Sequence, residues 1–159
     1  MGSWRKLASL SWADRRLLAR AAAMLAHARL ALPSTAFRAG RAERSPLPDP
    51  ATAATDLARA KAIARLVDIA ASRLPFRVSC LHRAIVLWRL LSAERIACDL
   101  ELGARAGTGP FEAHAWVDCQ GVALGENPDR LARYRRFARP VVPSRRRGGS
   151  SPAEARRPT

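Results

Sequence analysis

Cys80 and His114 are the two residues of this sequence whose types and surroundings best suit covalent chemistry. Cys80 is predicted to begin an amphipathic helix, and His114 lies in an alternating strand pattern. The positive end of the helix dipoles favours the thiolate form of a cysteine, and a histidine can take the thiol proton and later return it to a leaving amine. The pair is therefore a candidate nucleophile and general base of a cysteine hydrolase.

The helix that carries the thiol is predicted from Cys80 to Ala93. Ser79 is a candidate N-cap, because its hydroxyl can accept a hydrogen bond from a free amide of the first turn. The apolar face of this helix consists of residues at helical spacing, namely Leu81, Ala84, Ile85, Trp88 and Leu91. We expect this face to pack against the core and to hold the thiol at the start of the helix.

Three strands are predicted after this helix. The first alternates between apolar and polar residues from Ile96 to Gly103, the second runs from Phe111 to Asp118, and the third from Val122 to Glu126. Helices followed by strands, without alternating βαβ units, predict an α+β fold around a small antiparallel sheet.

A catalytic imidazole usually needs a partner that fixes its tautomer and stabilises its charge. Asp118 shares a strand with the histidine, but a separation of four residues is ~13 Å, beyond hydrogen-bonding distance. If residues 119–121 form a three-residue loop, Glu126 lies directly opposite the histidine with Cβ atoms ~5 Å apart. A two-residue loop would instead place Asn127 there. Glu126 is the preferred third member, and Asp118, Asn127 and Asp129 stay open as alternatives.

Each of these residues also has an ordinary structural explanation. A cysteine is more often a small buried apolar residue than a nucleophile, and a strand histidine is more often structural. Cys98 alternates with apolar neighbours and Cys119 is placed in a turn, so neither has a helix end to activate it. The combination of helix start, strand and opposed strand is what favours Cys80, His114 and Glu126.

The chain has 159 residues, 48% of them apolar, which is enough for one ordinary folded domain. A helix is predicted from residue 55 to residue 73, ended by Pro75. The predicted organisation is an N-terminal helical segment (1–32), a proline-containing loop (33–54), a catalytic core (55–142) and a disordered basic tail (143–159).

The balance of 28 Lys and Arg against 13 Asp and Glu gives a formal net charge of +15. Such a field attracts acidic peptides, nucleic acid or anionic lipid through a non-specific, salt-sensitive interaction. The basic residues are spread along the chain and form no recognisable binding element, so no specific nucleic-acid partner is predicted. A non-catalytic basic adaptor is the alternative that this charge leaves open.

Cysteine usage bears on the compartment and on metal binding. Three cysteines without a recognisable secretory signal favour a reducing, cytoplasmic location. Charged residues interrupt the N-terminal apolar stretch, so no uncharged run approaches the ~18 residues of a transmembrane helix. The cysteines are far apart and lack the close pairs that structural zinc prefers, so neither a metal nor a cofactor is predicted.

The order of a helix-borne Cys, a strand His and an acid on the next strand resembles the transglutaminase-like branch of papain-type folds. At finer grain, the Cys-Leu-x-Arg-Ala block at 80–84 and the Ala-His-Ala-Trp-Val block at 113–117 resemble the leader peptidase of lasso-peptide biosynthesis. That enzyme is the protease component of the B protein. The resemblance covers residues 55–130 and, more loosely, the N-terminal helices, and it implies a papain/transglutaminase-like α+β fold.

By this resemblance Cys80 is the nucleophile, His114 the general base and acid, and Glu126 the acidic third member. The implied activity is removal of the leader peptide from a ribosomally synthesised lasso-peptide precursor, after which a separate ATP-dependent cyclase closes the freed core peptide. The sequence before residue 55 has no room for a winged-helix recognition domain, so the resemblance implies a separate leader-recognition protein. A transglutaminase-type acyl transferase, which uses an amine in place of water, is the alternative enzyme.

Overall fold

The computed structural model describes residues 11–31, 52–105 and 110–137. The predicted tail 143–159 and most of the predicted loop 33–54 lie outside these residues. The elements in chain order are α1 (Trp12–Ala31), α2 (Ala53–Arg73), α3 (Cys80–Ala93), β1 (Asp99–Arg105), β2 (Ala113–Cys119), β3 (Val122–Ala123), α4 (Pro128–Leu131) and β4 (Tyr134–Arg136). The predicted α+β architecture is confirmed, with three helices before a four-stranded antiparallel sheet of order β3-β2-β1-β4.

Helix α1 covers the other two long helices. Its buried residues recur at four-residue spacing and pack in the core with α2 and α3: Leu17, Ala21 and Leu25. Trp12, by contrast, is 74% exposed at the helix start. The N-terminal helical segment that the sequence predicts over 1–32 is thus helical from residue 12, and residues 1–10 lie outside the described residues.

Helix α2 begins at Ala53, two residues before the predicted start, and ends at Arg73. Its last residue is followed by Leu74 in an extended conformation, because a residue before proline is driven out of the helical region. One stripe of α2 is buried in the core: Ala60, Ile63, Ala64, Leu66, Val67 and Ala70. This stripe gives α3 a surface to pack on.

Helix α3 spans Cys80–Ala93, the range that the sequence predicts. It lies between the other helices and the sheet, which it contacts through β1 and β2. At its end Arg95 adopts a φ of +61°, and the Ile96 amide donates to the Leu91 carbonyl at 2.9 Å. The indole of Trp88 donates to the Cys98 carbonyl at 3.2 Å, which ties the helix to the chain entering β1.

The two faces of β2 have different surroundings. Alternate residues Ala115, Val117 and Cys119 join the core beneath the helices, whereas His114 and Trp116 lie on the other face, as the period of two requires. On that face Gly103 of β1 is needed, since a Cβ there would lie 2.9 Å from the Trp116 ring and 2.8 Å from the Arg135 carbonyl oxygen.

The hairpin between β2 and β3 corrects the predicted register. Asp118 pairs with Ala123 and Cys119 with Val122, so the loop contains two residues, Gln120 and Gly121. Both loop residues have positive φ, +56° and +82°, as the tight turn of a two-residue hairpin requires. The three-residue loop and the five-residue third strand are therefore wrong, because Cys119 is a paired strand residue and β3 ends at Ala123.

Candidate active site

Cys80 occupies the first position of α3, directly after its cap. Ser79 has an extended backbone, and its Oγ accepts a hydrogen bond from the His82 amide at 3.3 Å and also contacts His82 Nδ1. The first turn of α3, which the structure describes in full, carries no acidic residue that would oppose the helix dipole. Cys80 is only partly buried, and it lies at the positive end of the helix dipoles.

One pocket brings this thiol together with the predicted histidine and acid. Cys80, His114 and Glu126 all line it, and they come from α3, from β2 and from the segment after β3. The cavity has a volume of about 30 Å³, room for water-sized groups. The cavity therefore has room for a reacting group but not for a larger molecule.

His114 and Glu126 are in direct contact in this pocket. His114 Nε2 lies 3.0 Å from Glu126 Oε2, and the two side chains are 8% and 14% exposed. The oxygen lies off the ring N–H direction, so among the described residues Nε2 has no aligned hydrogen-bond partner. The contact is best described as an ion pair when the ring is protonated, and its shielding from water strengthens the attraction.

Glu126 reaches the histidine by a different path from the predicted one. Strand pairing stops after Ala123, and the Leu124 amide donates to the Val117 carbonyl at 2.9 Å. Gly125 then turns the chain with a φ of +70°. This turn, and not strand pairing, brings Glu126 next to His114. Glu126 therefore lies beside the histidine, as predicted, although the predicted strand register is wrong.

The other three candidates for the third member make different contacts. Asp118 accepts a hydrogen bond from the Gly121 amide and pairs with Arg136, both at 2.8 Å. Asn127 Oδ1 caps α4 by accepting the amides of Asp129 and Arg130. Asp129 is exposed in the first turn of that helix. Of these alternatives, none is seen to contact the imidazole within the part of the chain that the structure describes.

Two aromatic rings flank the imidazole. Trp116 stacks on it with ring centroids 6.0 Å apart, and Tyr134 packs against it at 5.1 Å in a tilted arrangement. Tyr134 belongs to β4, a strand that the sequence analysis missed because its neighbours are arginines and show no apolar alternation. The only tyrosine in the chain was the one available signal. Together the rings restrict the orientation of His114.

Glu112 anchors Tyr134 from the start of β2. The tyrosine hydroxyl donates to Glu112 Oε1, and Arg105 donates to Oε2 of the same carboxylate at 3.1 Å. The hydrogen bond from Tyr134, followed by that from Arg105, lowers the pKa of Glu112, and the bond to Glu112 raises the pKa of Tyr134. The tyrosine therefore remains a neutral donor and keeps its ring against the imidazole.

A second charged pair lines the same pocket. Asp68 of α2 and Arg83 of α3 are joined by an ion pair of 2.6 Å between Oδ1 and Nη2. Both residues also line a wider groove of about 550 Å³ beside the pocket. The rest of that groove comes from the end of α2 and the segment before α3, and combines apolar and polar residues: Ala71, Ser72, Leu74, Pro75, Phe76, Arg77 and Val78.

The remaining cysteines lie in the core. Cys98 is 2% exposed and Cys119 is 0% exposed. They lie next to the paired residues Asp99 and Asp118, Cys98 just before β1 and Cys119 at the end of β2. The contact with Cys119 and burial raise the pKa of the Cys98 thiol far above its ordinary range. Cys119 ends β2 and does not lie in a turn, which corrects its predicted position. Both residues pack as small apolar groups.

Two kinds of feature are absent from residues 11–31, 52–105 and 110–137: a cluster of metal ligands and a membrane-spanning helix. Within them, no group of three or more His, Cys, Asp or Glu side chains is arranged to hold a metal ion. None of the helices in these ranges combines the length and apolar character needed to span a membrane.

Comparison with known proteins places this chain in a family. No curated protein and no solved structure matches the chain. A family model does match: that of the transglutaminase-like superfamily, over residues 8–139, which is well over half of the chain. The match spans the helix that begins with Cys80, the strand of His114 and the turn before Glu126, and it fits the observed α+β fold. The chain belongs to the transglutaminase-like superfamily.

Proposed function

We propose that this protein is a cysteine peptidase that removes the leader peptide from a ribosomally synthesised lasso-peptide precursor. Cys80 is the nucleophile, His114 the general base and acid, and Glu126 the group that orients and stabilises the imidazole. The observation that carries the proposal is the 3.0 Å contact between His114 and Glu126 in a pocket that Cys80 also lines. Membership of the transglutaminase-like superfamily supports chemistry through a cysteine thioester.

The first half of the reaction forms an acyl-enzyme. Glu126 lies on the Nε2 side of the ring, which leaves Nδ1 as the nitrogen that takes the thiol proton. The Cys80 sulfur attacks the scissile carbonyl carbon and the oxygen becomes negatively charged. The backbone N–H of Cys80, in the first turn of α3, is a donor for that oxyanion. As the C–N bond breaks, His114 gives its proton to the leaving amine and a thioester remains.

The second half regenerates the thiol. Water attacks the thioester carbonyl while His114 takes one of its protons, and the same proton returns to the sulfur as the C–S bond breaks. The products are the leader with a new carboxylate and the core peptide with a free amine. Glu126 lies beside Nε2 throughout, where its carboxylate pairs with the ring whenever the ring carries the proton.

The groove beside the pocket supports a polypeptide substrate. Its volume of about 550 Å³ suits several atoms of an extended chain better than the cavity of about 30 Å³ does. Its apolar residues, such as Leu74, Pro75 and Phe76, can contact side chains next to the scissile bond. The overall charge of +15 attracts an acidic leader by a salt-sensitive interaction. We further propose a separate leader-recognition protein and an ATP-dependent cyclase as partners, in the cytoplasm.

The Cys80→Ala variant tests this function. A cognate lasso-peptide precursor, incubated with its recognition protein, is expected to be cut by the wild-type chain and to stay intact with the variant. Cys98→Ala is the matched control, because Cys98 is buried away from the pocket and should retain cleavage. Mass spectrometry identifies the products, and circular dichroism verifies that both variants fold. Cleavage that survives in Cys80→Ala would exclude this mechanism.

The same experiment separates the alternative reactions. Hydrolysis releases two free peptides, whereas acyl transfer to an amine gives a covalent adduct of the leader fragment. A basic adaptor without catalysis gives neither, and its Cys80 is not alkylated by iodoacetamide faster than an ordinary exposed thiol. An adduct in place of the free leader carboxylate would replace the peptidase with a transglutaminase-type acyl transferase.

A further inference from the structure

The pocket contains two charged groups that the proposed reaction does not use. Arg83 lies three residues after Cys80 on α3, so the two side chains share one face of the helix. Asp68 comes from α2, and its Oδ1 lies 2.6 Å from Arg83 Nη2. Each side chain is 40% exposed. Half-exposed ion pairs contribute little to folding stability, so stability alone does not explain a pair at this position.

The second carboxylate oxygen of Asp68 lies against the turn that delivers the catalytic acid. A Cβ built on Gly125 would lie only 3.1 Å from Asp68 Oδ2. Gly125 has a φ of +70° and immediately precedes Glu126. Asp68 is thus paired with Arg83 of α3 and also lies close to the turn before Glu126.

The two carboxylates of the pocket, Asp68 and Glu126, are balanced by the positive charge of Arg83. Partial burial raises the pKa of Asp68, the Arg83 guanidinium lowers it in part, and the negative charge of Glu126 raises it further. Asp68 and Glu126 are therefore close enough to repel one another. The titratable and charged groups that line the pocket are Asp68, Cys80, Arg83, His114 and Glu126. Among the described residues that line the pocket, Arg83 is the one permanent cation.

We propose that Asp68 and Arg83 form a positioning pair for the catalytic residues. Asp68 supports the turn at Gly125, and Arg83 compensates the Asp68 charge so that the carboxylate can lie beside Glu126 without disfavouring the thiolate of Cys80. The inference rests on the proposed function, since it assigns a role relative to the same thiol, histidine and acid. In this role Asp68 and Arg83 position Cys80 and Glu126, and neither contacts the scissile bond of the substrate.

The test is the pH dependence of Cys80 alkylation by iodoacetamide, followed by peptide mass spectrometry on the full chain. This readout needs no precursor peptide and no partner. In Arg83→Met the uncompensated Asp68 charge should move the midpoint of alkylation upward by about one pH unit. Below that midpoint the rate should fall about tenfold. Asp68→Asn keeps the shape of the side chain, removes its charge, and should move the midpoint downward.

The double variant Arg83→Met/Asp68→Asn decides between a charge effect and a structural effect. If the pair acts by charge compensation, removal of both charges returns the midpoint close to the wild-type value. Arg83→Lys restores the cation and should also restore most of the profile. Arg89→Met is the matched control: Arg89 is an exposed arginine of α3 outside the pocket and the groove, so its replacement should leave the midpoint unchanged.

The outcomes distinguish this inference from the proposed function. A wild-type Cys80 no more reactive than an ordinary thiol contradicts the proposed function itself. An activated Cys80 whose midpoint does not move in Arg83→Met, in protein that unfolds at the wild-type temperature, overturns the positioning pair alone. A double variant whose midpoint stays as high as that of Arg83→Met also overturns it, because the shift would then not depend on the charge of Asp68.

Discussion

The two halves of the candidate site differ in how their residues are brought into place. Cys80 is positioned by a local unit, in which Ser79 caps the helix that follows it and the hydroxyl accepts the His82 amide at 3.3 Å. Glu126 is positioned by contacts between distant segments: a turn at Gly125, the carboxylate of Asp68 behind it and the imidazole of His114 before it.

This difference accounts for the accuracy of the sequence analysis in each half. The observed bounds of α3 match the predicted ones, because the cap and the apolar stripe lie within the segment itself. The path to Glu126 was predicted wrongly, because a hairpin register depends on whether two or three residues form the loop. Residues that belong to local units can be read directly, and residues held by distant contacts cannot.

Removal of the charge on Glu126 should have the largest effect on activity. It perturbs the half of the site that is held by contacts between distant segments. Glu126→Gln keeps the shape of the side chain but withdraws the negative charge beside His114 Nε2. We expect kcat to fall by about 100-fold or more, measured as precursor cleavage. Asp129→Asn is the control, since Asp129 is exposed on α4, and it should change kcat less than about twofold. A larger effect of Asp129→Asn would move the third member to that residue.

Two glycines with positive φ separate backbone strain from misplacement of the acid. Gly125→Ala and Gly121→Ala both force alanine into a left-handed conformation, at φ +70° and +82°, which costs about 1 kcal/mol of unfolding free energy. At Gly125 the new Cβ also meets Asp68 Oδ2 at 3.1 Å, whereas at Gly121 nothing among the described residues lies within 4 Å. We expect a tenfold or so loss of cleavage in Gly125→Ala alone.

Urea unfolding and precursor cleavage, measured on both glycine variants, check this expectation. Equal losses of activity in the two variants would show that strain in the hairpin, and not the contact with Asp68, controls the position of Glu126. Equal stability with unequal activity is the expected pattern.

Removal of the α3 cap perturbs the half of the site that contains Cys80, and it has the smallest expected effect. Ser79→Ala removes the acceptor for the His82 amide and should lower the free energy of unfolding by about 1 kcal/mol. Thr52→Ala at the start of α2 is the control, because the Thr52 hydroxyl is not a cap for a helix amide and donates instead to the exposed Asp56 carboxylate at 2.9 Å; its loss should cost less than about 0.5 kcal/mol. Urea denaturation measures both, and equal losses would contradict a capping role for Ser79.

The same contrast holds for the fold as a whole. The α+β class and the three long helices were predicted because their apolar residues recur at helical spacing in the segments themselves. Strand β4 was missed, since an edge strand of three residues between arginines carries no alternation. Cys98 and Cys119 were predicted to lack a helix end that could activate them, and both lie in the core. Cys119 was predicted in a turn, but it belongs to a strand.

By itself the sequence determined the kinds of element and the two residues best suited to covalent chemistry, because caps, prolines and apolar periodicity act over a few residues. The tertiary structure alone decided which groups surround them: Glu126 at 3.0 Å from His114, Tyr134 against the same ring, and Asp68 with Arg83 in the pocket. These groups come from segments far apart in the chain, and their distances depend on how the helices and the sheet pack against each other.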